Sequence, residues 1–167
     1  VGHALGLSHP GAYNGSAGFA ASATHFQDTR AYTVMSYFNA QDNGSGTNHV
    51  RSAQTYAATP LLHDILAVQA VYGADQTTRT GPTTYGFNST ADRRAFDFSI
   101  NTNPIVAIWD AGGNDKIDVS GWSTDQLIDL TPGAFSSVGY LTDNLAIAYG
   151  TTIELATGGA GNDHIIG

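Results

Sequence analysis

The sequence predicts two unlike parts: the C-terminal portion of an α+β domain over residues 1–72, then an all-β domain over residues 73–167. Three observations carry this. One stretch, Thr59 to Gly73, has the start signal, stop signal and apolar spacing of a helix. Beyond Gly73, short β-prone runs alternate with Gly/Asp/Asn turns. A Gly-Gly turn followed by Asp appears twice, at Gly112-Gly113-Asn114-Asp115 and at Gly158-Gly159-Ala160-Gly161-Asn162-Asp163.

Taken in order, residues 10–30 are rich in Gly, Ala, Ser and Asn and read as loop. Ala31 to Phe38 is compact, apolar and aromatic. Residues 39–55 are polar, with Asn43-Gly44 and Ser45-Gly46 as turn signals. In the helix, Thr59 reads as N-cap, Pro60 as the first helical position and Gly73 as the stop. Leu61, Leu62, Ile65, Val68, Gln69 and Tyr72 share one face, which should pack on the core of the first part. Thr83 to Phe87, Pro104 to Trp109, Lys116 to Val119 and Leu145 to Tyr149 read as strands, and the boundary falls near residue 73.

Composition narrows the chemistry. Fourteen acidic residues stand against 6 basic ones, and 13 of the acids are Asp, with Glu154 the single glutamate. That balance disfavours nucleic acid and anionic membrane as partners and suits hard cations bound through oxygen. Cysteine is absent, so no disulfide reinforces the fold, and no run is apolar enough to span a membrane. The chain reads as a piece of a longer protein.

The first nine residues hold the chemistry of the first part. His3, Gly6 and His9 form His-x-x-Gly-x-x-His. A helix continued over six residues would turn the second histidine by about 240° and carry it roughly 9 Å along the axis, away from any shared ion. Glycine tolerates the left-handed conformation that ends a helix and reverses the chain, so Gly6 removes that obstacle. The triplet fits the second half of the metzincin zinc signature H-E-x-x-H-x-x-G-x-x-H. The first histidine and the glutamate would precede Val1. A glycine-rich turn with solvated histidines would look the same at this level. Met35, the one methionine, lies downstream in Val34-Met35-Ser36-Tyr37.

Gly2-His3-Ala4-Leu5-Gly6-Leu7-Ser8-His9-Pro10-Gly11, with Tyr13-Asn14 after it, resembles the serralysin family of secreted bacterial zinc proteases. The resemblance implies that His3 and His9 ligate zinc, that Met35 is the Met-turn beneath them, and that Tyr37 joins the zinc shell. Matrix metalloproteases share the histidines but lack that tyrosine. The implied activity is peptide-bond hydrolysis in protein substrates, with Tyr37 stabilising the developing oxyanion and the upstream Glu as base. Secretion and a monomeric state follow from the same resemblance.

Gly158 to Ile166 fits G-G-x-G-x-D-x-U-x, the RTX parallel β-roll repeat, and Asp110 to Asp118 is a looser copy. The resemblance implies several structural Ca2+ ions besides one catalytic Zn2+. One calcium site would take Arg79, Gly81, Thr83, Asp110, Gly112 and Asp115. A second would take Gly113, Asp115, Thr152 and Glu154, which makes Asp115 a bridge. A third would begin with Gly159, Gly161 and Asp163 and be half-built here. His25, His49, His63 and His164 fit no ligand spacing and read as surface or packing histidines. Two other readings compete: a non-catalytic calcium-binding β-roll, and an astacin-like protease, which would ordinarily carry cysteines.

Overall fold

Short parallel strands wind through the chain beyond Gly73, and the turns between them gather its carboxylates. A computed structural model describes all residues, Val1–Gly167. The strands are β1 (Thr84–Gly86), β2 (Val106–Ile108), β3 (Lys116–Asp118), β4 (Leu127–Asp129), β5 (Phe135–Ser136), β6 (Leu145–Ile147), β7 (Leu155–Thr157) and β8 (His164–Ile166). One sheet has the order β1-β3-β7, all parallel, and stacks Tyr85, Ile117 and Ala156 in register. A second has the order β2-β6-β5, with Ile108 opposite Ile147 in its parallel pair. The third pairs β4 with β8, Ile128 opposite Ile165.

Alternation explains why these residues make strands. Ile117, Val119, Ile128, Val106, Ile108, Leu145 and Ile147 turn inward and meet Tyr85, Phe96, Phe98 and Trp122 in one buried cluster. β-branched side chains fit such a pleated, covered surface. Trp122 stacks on Phe98 at 5.2 Å and meets the Phe87 edge at 5.1 Å, closing one end.

The first part holds little regular structure: a 3-10 turn over His3–Leu5, the single turn α1 (Phe19–Ser22) and the helix α2 (Leu62–Tyr72). α2 departs from expectation at its start. Thr59 does not cap it, because its hydroxyl accepts the Ala107 amide of β2 at 2.9 Å. Leu61 occupies the cap position, and the Asp64 carboxylate takes its amide at 2.8 Å. Gly73 closes the helix at φ 82°.

The helix also packs differently. Leu61 lies with Ile105 and Leu141, and Leu62 with Ala107 and Ala146, so its buried end rests on the β part rather than on the first part alone. Its far end, including Val71 and Tyr72, is exposed. The polar stretch after residue 39 is tied down too. Asn48 bridges Thr142, Thr47 Oγ1 donates to Asp143 at 2.7 Å, and buried His49 places Nε2 3.2 Å from the Asp143 carbonyl.

Candidate metal sites

The structure brings His3, His9 and Tyr37 together. The His3 and His9 ring centroids are 4.9 Å apart and nearly perpendicular, and Tyr37 lies 4.6 Å from His9. Gly6 makes this possible: it ends the 3-10 turn in the left-handed region, at φ 84°, with its amide on the His3 carbonyl at 3.1 Å. His3 Nδ1 sits 2.9 Å from the Leu7 carbonyl and His9 Nδ1 2.6 Å from the Met35 carbonyl. A carbonyl only accepts, so in the neutral rings both Nδ1 atoms carry the proton and both Nε2 atoms present lone pairs. A backbone carbonyl fixing the tautomer in this way is the usual outer support of a zinc histidine. Two imidazoles of this kind suit zinc, and the Tyr37 phenol stands beside them.

Met35 is buried beneath them, and its sulfur fills the space a side chain on Gly2 would need. Asp64 holds that turn in place. Its carboxylate, 2 % exposed, accepts Thr33 Oγ1 at 2.6 Å and the Val34 amide at 2.9 Å besides the Leu61 amide. Asp64 was not singled out from sequence. Its place three residues after the cap emerges only once the fold puts the cap at Leu61 rather than Thr59.

In the β part the carboxylates gather around Asp115. Its side chain is fully buried, with Oδ1 accepting the Thr83 amide at 2.8 Å and Oδ2 without a partner. Its own amide donates to Glu154 Oε2 at 2.7 Å. Burial, then the neighbouring Asp110 and Glu154 charges, push the Asp115 carboxyl above its ordinary value. Gly113, at φ 155°, has no room for a side chain: a Cβ there would stand 2.6 Å from the Gly81 carbonyl and 2.7 Å from Asp115 Oδ1. Asp110 accepts the Gly112 amide at 2.9 Å and the Tyr85 hydroxyl at 2.5 Å. Thr83 and Gly81 are further linked by a 3.0 Å bond from Thr83 Oγ1.

A buried carboxylate oxygen with no donor, two more acids and a backbone carbonyl at hand fit a hard cation. No three His, Asp or Glu side chains alone converge as a metal set anywhere in the chain. The sets described here mix carboxylates with backbone carbonyls, or imidazoles with a phenol. Arg79 adopts φ 51° and turns its side chain to the Tyr85 hydroxyl at 2.8 Å. Thr152 is exposed, beside buried Thr151, whose hydroxyl joins Asp110.

Asp163 repeats the Asp115 arrangement one winding on. Its Oδ1 accepts the Gln126 amide at 2.9 Å, and Oδ2 accepts the Gly159 amide at 2.5 Å. Gly159 packs against the Trp122 carbonyl and Gly161 against Thr124. Asp163 therefore has both oxygens engaged by backbone within the chain, whereas Asp115 keeps one free.

Short parallel strands joined by glycine–aspartate turns define an RTX-type β domain. Residues 74–167 match the family model described as peptidase M10 serralysin C terminal, and the chain belongs to that family. Over 171 aligned residues it is 48% identical to the metalloprotease AprA of Pseudomonas entomophila, covering 100% of this chain and 35% of the relative. It is 49% identical to a serralysin of a Photorhabdus species, covering 99% of this chain and 34% of that protein. Serralysin B of Dickeya chrysanthemi is 47% identical, with 99% and 34% covered. The chain thus spans about a third of the length of the curated relatives it matches, and the alignments run through residues 1–73 as well. No helix is long and apolar enough to cross a membrane.

Proposed function

We propose that the chain is part of a secreted zinc endopeptidase that cleaves peptide bonds in proteins and is stabilised by calcium. In this reading residues 1–72 complete a metzincin catalytic domain and residues 73–167 form a calcium-binding β-roll. The observation that carries it is the meeting of His3, His9 and Tyr37 above Met35 with both Nε2 atoms free. Names of the relatives, metalloprotease and serralysin, support it.

His3 and His9 would hold the zinc ion, with a third histidine and the glutamate base supplied upstream of Val1. Zinc there would polarise the scissile carbonyl and lower the pKa of a bound water. The Tyr37 hydroxyl would donate a hydrogen bond to the oxyanion of a peptide substrate bound there. Asp110, Asp115 and Glu154, with Gly81 and its neighbours, hold calcium and so take the place of the disulfides this sequence lacks. The protein acts as a monomer on protein substrates. Hydrolysis of casein by the full-length protein, abolished by a zinc chelator and restored by zinc, tests the reading; turnover indifferent to chelation overturns it.

A further inference from the structure

Tyr13 belongs neither to the histidine motif nor to the calcium turns, yet it touches two members of the candidate zinc set. Its ring centroid lies 5.7 Å from that of His9 and 5.0 Å from that of Tyr37, with Phe38 also at 5.0 Å. At its far end the hydroxyl donates to Asp28 Oδ1 at 2.7 Å. Asp28 is wholly buried, and its other oxygen has no partner.

A carboxylate withdrawn from water with half its acceptor capacity idle is costly, so something must hold it there. The local backbone does not need it. Residues 27–32 turn on bonds of their own, Thr29 to the Gln27 carbonyl at 2.8 Å and Tyr32 to the Thr29 carbonyl at 3.0 Å. The one hydrogen bond the Asp28 side chain makes goes to Tyr13. Ring packing by itself fixes neither the depth nor the tilt of a tyrosine. A hydroxyl pinned at the buried end fixes both.

We propose that Tyr13 and Asp28 are positioning residues: the tethered Tyr13 ring holds the His9 imidazole and the Tyr37 phenol at the 4.6 Å separation and 68° tilt seen here. The inference rests on the zinc reading above. Outer supports of a metal ligand commonly change metal affinity by roughly 10–100-fold when removed.

The test uses the full-length protein with Tyr13→Phe, Asp28→Ala and the double variant. Readouts are zinc affinity by chelator competition, the phenolate-to-copper charge-transfer band of the copper-substituted protein, and kcat and KM. Tyr13→Phe keeps the ring and loses only the tether. It should weaken zinc about tenfold, diminish the charge-transfer band and lower kcat while KM stays within about twofold. The double variant should be no worse than either single one, since both break the same link. Asp28→Asn, which keeps an acceptor for Tyr13, should regain most of what Asp28→Ala loses. If Asp28→Ala does not fold, Tyr13→Phe and Asp28→Asn decide alone. A Tyr13→Phe protein that melts lower but keeps wild-type zinc affinity and band overturns the positioning role. A wild-type protein with no zinc and no such band overturns the zinc reading instead.

Discussion

Asp115 and Glu154 meet through the backbone: the Asp115 amide donates to Glu154 Oε2 at 2.7 Å, while the Asp115 carboxylate is buried with Oδ2 unpartnered. One acid is thus turned toward the other's main chain, and neither neutralises the other. Glu154 is exposed and Asp115 buried, so it is the Asp115 oxygen, withdrawn from water without a donor, that a cation would complete.

Asp115→Ala should therefore weaken two calcium ions together, and Glu154→Ala only one. Calorimetric titration of calcium into each variant checks this, and equal losses contradict the bridging role. Chelation should also reduce the β signal in circular dichroism, because a site absent from the unfolded chain couples metal binding to folding. An unchanged spectrum means that the core around Ile117 and Trp122 holds without metal.

Much of this was legible beforehand. The helix through Leu62–Tyr72 and the strands at Thr84, Val106, Lys116 and Leu145 follow from period and turn residues. The strands Leu127–Asp129, Phe135–Ser136 and Leu155–Thr157 do not, because pairing with β8, β6 and β3 defines them rather than a local β-prone run. Thr59 has the chemistry of a cap, but the same hydroxyl serves Ala107 across the structure, which local sequence cannot reveal. Spacing marks His3 and His9. Tyr13 stands in the stretch that carries the resemblance but without a role attached to it, Asp28 lies in a loop and Asp64 in α2, and only the fold brings their side chains to that locus.

Asp64 joins α2 to the turn that carries Met35, and removing it should be felt as stability. Asp64→Ala leaves the buried Thr33 hydroxyl, the buried Leu61 amide and the part-buried Val34 amide without their acceptor. We expect a loss of roughly 3 kcal/mol or more in denaturant unfolding, with Asp64→Asn losing less. A change within about 0.5 kcal/mol, the range of ordinary surface substitutions, contradicts that role.

His49 gives the fastening to Asp143 a pH dependence. Burial, opposed by the Asp143 carbonyl and charge, holds its pKa below the usual histidine value. A depressed folded pKa contributes stability above the unfolded value, about 6.5, that is lost as pH falls through the folded one. Melting temperature should drop on acidification below about pH 6.5, and His49→Gln should flatten that part of the profile. An unchanged slope in His49→Gln assigns the drop to other groups.

The central claim is that His3 and His9 ligate one catalytic zinc. Zinc content of the purified full-length protein, measured for wild type and for His3→Ala and His9→Ala, tests it most directly. The account predicts one zinc per wild-type molecule, loss of that zinc and of peptide hydrolysis in both variants, and an unchanged calcium content. Variants that retain the zinc, or a wild-type protein that carries none, would contradict it.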